Sequence, residues 1–431
     1  MNFPFFIAKR IAVEDKASFS KLIIRFAVIS VALSVGVMIV STALMSGFKT
    51  EIQKKIFDFW AHIHLTDASL NQTFTEANPI DKNQEFIRLL DTIKKVSFYT
   101  TVGEGTSEKE VFVESKKGIR HVQSYGIIPG IIKVKDEIEG VILKGVGKDY
   151  DWEFLAKYIK KGRALNLPDS TLSREILISQ QTANRLKLDT GSTFLIVIPR
   201  QNEYLKRRFT VSGIYKTGLE EYDTRFAFID LRQVQKLRGW KENEVSGIEI
   251  FVEDLDDLDI ITEYIYYDLL PTNMYAETVK DKFPQNFEWL ELQDINEVVI
   301  LALMIIVAII NMITALLILI IERTQTVGIL KALGNNNREI RKIFLYYAGY
   351  ILVWGLFWGN LLGLGFSLAQ KYFKFITLSE ADYYLSVAPI QLNFGTIILL
   401  NIGTLVITLI ALILPTYMVT KIDPVRAIRF K

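Results

Sequence analysis

Few residues in this chain are typed and spaced for chemistry. His62 and His64 lie in Ala61-His62-Ile63-His64-Leu65-Thr66, which alternates as a strand does, so both imidazoles share one face and could offer a metal two ligands. No third ligand stands nearby, so a structural role is expected for the pair. The acidic run Glu253, Asp254, Asp256, Asp257 and Asp259 has the charge to attract calcium. It lacks the glycine and terminal Glu of an EF-hand loop, and reads as a solvated turn leading into a helix over residues 260–267. There is no G-x-x-x-x-G-K-[ST] phosphate loop, no H-E-x-x-H and no G-x-S-x-G elbow. Any ATP used must therefore be hydrolysed by another chain. With no Cys, disulfides, thiol catalysis and thiolate metal sites are excluded, as is lipid modification of this chain as a lipoprotein. No catalytic, cofactor-binding or metal residues are assigned.

The elements that carry these residues are membrane-bound. Residues 26–45, 298–321, 343–368 and 394–420 contain no Asp, Glu, Lys or Arg, and each has the ~20 residues needed to cross ~30 Å of hydrocarbon. One span thus precedes a long stretch without any, and three follow it. The 25-residue leader and long apolar run argue for a retained helix over a cleaved signal peptide, and Ser41-Thr42-Ala43 is a weak cleavage site. Basic residues flank the spans in three places: Lys9, Arg10, Lys16, Lys21 and Arg25; then Arg323, Lys331, Arg338, Arg341 and Lys342; then Lys421, Arg426, Arg429 and Lys431. By the positive-inside rule these segments, and hence both termini, face the cytoplasm. The expected order is a cytoplasmic amphipathic segment (1–25), span 1 (26–46), an outer domain (47–295), span 2 (296–321), a cytoplasmic helix and loop (322–342), span 3 (343–368), a short outer loop (369–393), span 4 (394–420) and a cytoplasmic tail (421–431). A formal charge of +2 without a basic stripe argues against nucleic acid as a partner.

The outer domain mixes strands and short helices. Residues 175–178, 193–198, 209–214 and 248–252 read as strands, 180–186 and 86–95 as helices, and 47–58 as a helical continuation of span 1. About 250 residues suffice for such an α+β module. Between spans 2 and 3, Val327, Leu330 and Lys331 recur at helical spacing, and Gly334 follows as a C-terminal stop. Periodicity alone leaves open whether this helix lies among headgroups or fills a groove on a soluble partner.

Asn311-Met312-Ile313 through Glu322-Arg323, Val327-Gly328-Ile329-Leu330-Lys331-Ala332-Leu333-Gly334 and Ile340-Arg341-Lys342-Ile343-Phe344 resemble the core of the FtsX/MacB-like permease superfamily, as do Leu414-Pro415 and the run from Asp423 to Phe430. Phe6-Ile7-Ala8-Lys9-Arg10, Met45-Ser46-Gly47-Phe48, Glu51-Ile52 and the segment from Ser212 to Asp223, with its Gly-x-x-Glu-Tyr-Asp pattern, are similar to the lipoprotein-releasing (Lol) permeases within it. So are Phe228-Ile229-Asp230-Leu231 and Val234-Gln235. The likeness covers nearly the whole chain and is weakest over residues 70–141.

The resemblance implies four transmembrane helices with a large extracytoplasmic α+β domain of the MacB-like periplasmic core type between the first and second. It implies a non-catalytic inner-membrane permease subunit of an ABC transporter, which extracts lipoproteins and passes them to a periplasmic carrier. Its implied partners are a cytoplasmic ABC ATPase that binds ATP and Mg, a second permease subunit (self or homologue), lipoprotein substrates and the carrier. The helix after span 2 becomes the coupling helix, with Glu322, Arg323, Val327, Gly328, Leu330, Lys331, Leu333 and Gly334 docking on the ATPase. The carrier-binding hook falls on residues 199–208, with Pro199, Arg200, Tyr204, Lys206, Arg207 and Arg208 as candidate contacts, and is shorter than the family's. Its basic residues suit an acidic carrier, and a solvated hairpin would look the same.

Small residues in the spans, Ser30-x-x-x-Ser34 and Gly355-x-x-x-Gly359-x-x-x-Gly363, let helices approach closely. For span 3 packing inside the subunit is expected. For span 1 the resemblance implies a place beside a second permease subunit, where Phe26, Ile29, Ser30, Leu33, Ser34 and Val37 would line a lipid cavity, in a wall that also includes Val28 and Ile39. Two other readings share these features: a mechanotransmitting permease serving a wall hydrolase or efflux, and a membrane-anchored sensor without an ATPase.

Overall fold

The computed structural model describes residues 4–8, 19–69, 78–102, 109–200 and 203–423. Residues 9–18 of the N-terminal segment, 201–202 of the expected hook and 424–431 of the tail lie outside the described residues. The chain forms two compact units. One comprises Met1–Glu51, Glu288–Thr377 and Val387–Lys431, the other Ile52–Phe287 with Leu378–Ser386.

The first unit is built on four helices long and apolar enough to cross a membrane. They are Phe19–Trp60, Pro284–Glu322, Asn337–Phe373 and Phe394–Thr416, the last continued by a tight turn at Tyr417–Lys421. Each runs where the sequence offers an uninterrupted apolar stretch, and the first three extend well beyond it. Backbone hydrogen bonds are closed inside each helix, as a hydrocarbon environment requires.

The glycines of the third helix pack against the first helix of the same chain. A Cβ on Gly355 would stand 2.6 Å from a Val31 methyl, one on Gly359 2.7 Å from Val35 Cβ, and one on Gly363 2.9 Å from Ile39 Cβ. The helices meet there backbone to side chain, and any larger residue would force them apart. Polar groups tie the other pairs. Asn311 donates to the Ser30 hydroxyl, joining the second helix to the first. Asn360 and Asn401 exchange amide hydrogen bonds of 2.6 and 3.0 Å between the third and fourth.

The second unit is organised by a ring of six strands. The ten strands of its main sheet are β1 (Ile63–Asp67), β5 (Ile119–Val134), β6 (Glu137–Val146), β7 (Ile159–Gly162), β8 (Glu175–Ser179), β9 (Thr193–Arg200), β10 (Glu203–Tyr215), β11 (Phe226–Asp230), β13 (Gly247–Val252) and β14 (Met274–Thr278). Short pairs flank them: β2 (Ile80–Asp81) with β12 (Glu244–Val245), and β3 (Ser97–Val102) with β4 (Lys109–Glu114). β5 pairs with β6, β6 with β11, β11 with β8, β8 with β10, β10 with β9, and β9 with β5 again. β14 and β7 end the sheet, while closing these six strands on one another leaves an apolar interior. Phe194, Ile196 and Ile198 of β9 point into it with Ile132, Leu143, Ile176, Ile178 and Phe209. The alternation read in residues 193–198 is this inward face.

β5 joins the ring to β13, β1 and β14, while β7 is joined through β10. The first half of β5 pairs with β13, from Val252↔Ile119 to Gly247↔Tyr125, and its second half with β9 at residues 131–133. Pro129 falls between those contacts, where one edge of β5 has no strand beside it and a missing N–H costs no ladder bond. The Pro129-Gly130 pair hides this strand from a reading based on punctuation.

Two expected elements differ. The helix over 86–95 is shorter, Glu85–Leu90, because the chain turns at Thr92 and Ile93 to meet β3. The acidic run is engaged rather than simply solvated. Asp254 accepts from the Asp256 N–H, Asp256 pairs with Lys116 at 2.8 Å, and buried Asp257 accepts from the Lys117 N–H at 2.8 Å. The helix that follows, Leu258–Tyr264, widens into a looser turn at Ile265–Leu269.

The glycine stripe yields a direct test. Gly359→Val should lower the thermal stability of the detergent-solubilised chain by about 1–3 kcal/mol. Gly365→Ala, on a face where an added Cβ meets nothing within 4 Å, should leave the melting curve unchanged.

Candidate functional site

The first helix ends in the interior of the outer unit. Phe59 and Trp60, its last residues, are buried among aromatic rings: Phe59 stacks on Tyr222 at 5.0 Å, and Trp60 meets Phe226 at 5.0 Å and Phe283 at 5.1 Å. The Phe59 carbonyl accepts from Lys144 Nζ at 3.3 Å. Lys144, on β6, and Glu249, on β13, are fully buried and paired at 2.6 Å. Gln123 of β5 donates to the other Glu249 oxygen at 2.7 Å, and its own amide oxygen accepts from the Asp151 N–H. The Lys144 ammonium also lies 5.2 Å from the Trp60 ring centroid. A cation beneath a helix C-terminus meets the negative end of the helix dipole, and the ring face adds cation–π attraction. None of these groups was singled out from sequence; a charged Lys144 inside the apolar run of β6 was the available signal.

His62 and His64 sit in the same core. His62 Nδ1 accepts from the Val252 N–H at 2.8 Å, and its ring meets Phe57 at 5.0 Å and Phe251 at 5.5 Å. His64 is wholly buried, 6.0 Å from the rings of Trp60 and Tyr125. Burial, with a smaller contribution from Arg120, lowers the His62 pKa to about 3, and burial lowers that of His64 well below its usual value.

The expected coupling residues divide by face. The helix spans Thr324–Ala332, with Gly334 just beyond it at φ +88°. Val327 and Gly328 are buried, and Val327 belongs to the core of the spanning helices. Leu330 is half-buried against that core, and Lys331 donates to the carbonyls of Thr420 and Ile422 at 3.2 and 2.9 Å. Glu322, Leu333 and Gly334 are exposed, as is Ile329, which the sequence reading left out of the docking set. Val327, Gly328 and Leu330 therefore face the membrane helices, since a nine-residue helix cannot turn every residue the same way.

Phe26, Ile29, Leu33 and Val37 form one exposed stripe on the first helix. Ser30 and Ser34 leave the expected wall: Ser34 is buried and Ser30 accepts the Asn311 hydrogen bond. Ile39 leaves it too, packed under Gly363. Beside the stripe an apolar groove of about 510 Å³ is lined by Val28, Ile29, Leu33, Tyr350, Trp354 and Trp358, with Arg25 at its border.

Residues 199–208 fall on the hairpin of β9 and β10, whose strands pair as far as Arg200↔Glu203. Pro199, Tyr204, Lys206, Arg207 and Arg208 are exposed, while the Arg200 side chain lies outside the described residues. The basic residues project from both faces of β10, as strand alternation requires.

Four membrane-length helices with an α+β domain between the first and second define a multi-pass membrane protein with one large domain outside the spans. The MacB-like periplasmic core domain model matches residues 26–265, more than half of the sequence, and the chain belongs to that family. The FtsX-like permease C-terminal model matches residues 298–424. Relatives span nearly the full length. The lipoprotein-releasing system transmembrane protein LolC of Xylella fastidiosa is 21% identical over 97% of this chain and 96% of its own. The corresponding LolE of Haemophilus influenzae is 22% identical over 99% of both chains, and that organism's LolC 22% over the whole of both. The chain is thus a multi-pass inner-membrane protein with a periplasmic domain.

Two outcomes follow from the buried charges. Lys144→Met should destabilise the outer unit by about 3–5 kcal/mol by leaving Glu249 buried without a counter-ion, and adding Glu249→Gln should recover most of the loss, measured by denaturant unfolding. For pH, the folded state keeps His62 neutral down to about 3. The unfolded chain protonates it below about 6.5, so it binds the extra proton between these values. Stability should fall with pH across that window, by about 1.4 kcal/mol per unit for His62. His62→Gln should flatten the slope of melting temperature between pH 7 and 5.

Proposed function

We propose that this chain is a permease subunit of a lipoprotein-releasing ABC transporter. The observation that carries the proposal is that proteins named as transmembrane components of lipoprotein-releasing systems align with it end to end. Local similarity confined to the permease region would fit any member of the superfamily. The basic residues beside the spans support a cytoplasmic placement of both terminal segments and of the Thr324–Ala332 helix.

A separate ATPase binds and hydrolyses ATP with Mg, and docks on the exposed Ile329 and Leu333 side of the coupling helix. Its push passes inward through Val327, seated in the helix core, and through Lys331, which holds the carbonyl end of the fourth helix. A second permease subunit, a copy of this chain or a homologue, faces the stripe from Phe26 to Val37, and acyl chains enter between them. The β9–β10 hairpin presents Tyr204, Lys206, Arg207 and Arg208 to an acidic periplasmic carrier. The work is mechanical, and this chain forms no covalent intermediate with its cargo.

The test is recovery of partners with tagged chain in mild detergent, read by mass spectrometry. Wild type should bring down an ABC ATPase together with lipoproteins. Leu333→Asp, at a position 79% exposed, should reduce ATPase recovery at least about tenfold by placing a charge in an apolar groove, without disturbing the fold. Recovery of a wall hydrolase in place of lipoproteins would assign the mechanotransmitting role, and absence of any ATPase would refute the proposal.

A further inference from the structure

Residues 378–386 lie between the third and fourth spanning helices in sequence, yet pack as part of the outer unit. Lys55 of the first helix is central to their attachment. Its ammonium donates to the Thr217 carbonyl at 2.7 Å and to the Tyr384 carbonyl at 2.8 Å. Beside it, Lys216 forms an ion pair with Glu380. Tyr384 adopts a left-handed conformation, φ +58°, at the end of the short helix Glu380–Tyr383. Gly218, at φ +82°, lets the two segments approach, because a Cβ there would stand 3.0 Å from Lys55 Nζ and 3.2 Å from the Tyr384 oxygen. Asp223 holds the Thr217-Gly218 turn in place, accepting from the Thr217 hydroxyl at 2.7 Å and from the Gly218 N–H at 3.0 Å. Three separated parts of the chain are thus gathered on one ammonium group.

We infer that Lys55 is a positioning residue that rivets the loop between the third and fourth spanning helices to the outer unit, so that this unit is driven by those helices as well as by the first. The inference gives the Gly218-Leu219-Glu220-Glu221-Tyr222-Asp223 segment a mechanical task, as the seat of the rivet. Its consequence for transport rests on the proposed lipoprotein-releasing role. A lysine suits the position because an ammonium carries three donors and can satisfy two carbonyls that converge from different directions. Methionine matches its length and supplies none.

The test uses the full chain with its co-purifying partners in nanodiscs. In Lys55→Met, amide hydrogen exchange over residues 378–386 should accelerate about tenfold or more over wild type; unchanged protection would overturn the rivet itself. ATP hydrolysis by the same variant should stay within about twofold of wild type while lipoprotein release falls about fivefold or more, the split expected of lost transmission and not of lost folding. Because the chain has no cysteine, Lys216→Cys with Glu380→Cys can be joined by a short bis-maleimide. That cross-link should restore release to Lys55→Met. Full release in Lys55→Met, or equal loss of hydrolysis and release, would overturn the transmission role. If wild type releases no lipoprotein, the proposed function fails, and the exchange result still decides on the rivet.

Discussion

A lysine ammonium buried under the last turn of a membrane-spanning helix constrains much of the outer unit. Lys144 is worth burying only if its charge is met from several sides, and Glu249, the Phe59 carbonyl and the Trp60 ring meet it. Those groups come from β6, β13 and the helix end, so the pair forms only when the ring of strands, its β13 extension and the helix terminus are all in register. Hydrophobic burial alone would tolerate a rotated helix end. A paired buried charge does not, because a small rotation leaves two ions desolvated without each other.

The same logic appears at the other end of the helix in a different solvent. Within the spans there is no hydrophobic drive to bring helices together, so contact must come from close packing and a few hydrogen bonds. Gly355, Gly359 and Gly363 supply the first by admitting Val31, Val35 and Ile39, while Asn311 with Ser30 and Asn360 with Asn401 supply the second. The first helix is therefore specified along its length, by small residues of a neighbour in its apolar part and by a buried ion at its carboxyl end.

How much of this was legible depended on the kind of signal. The spans, their order around the outer domain and the strand at 193–198 follow from hydropathy and alternation, which are local properties. The helix at 180–186 emerged with the same bounds. The ring of strands was not legible, because its closure depends on β9 meeting both β10 and β5, a pairing between residues more than 60 positions apart. Which of the candidate site residues are exposed was not legible in the sequence. Resemblance picked out Val327 and Leu330 with Leu333, yet only the fold shows that the first two point toward the membrane helices. Ser30 and Ser34 suggested a seam with a second subunit, but one is consumed by Asn311 and the other buried.

The geometry of two lysines also bears on how the outer unit is held together. Two lysine contacts, Lys144 with Glu249 and Lys55 with two carbonyls, lie at joints where helix, strand and loop segments meet. Both use a lysine from one element to hold groups from others, and both lie at or near the end of the first helix. Under the proposed function, in which displacement is carried across the membrane, such junctions have to be stiff, since slack there would absorb the movement. Polar contacts at fixed distances contribute to that stiffness beside close apolar packing. On that reading, charge held at these joints and exposed apolar side chains on the Thr324–Ala332 helix and along the first span are the features that transmission would use.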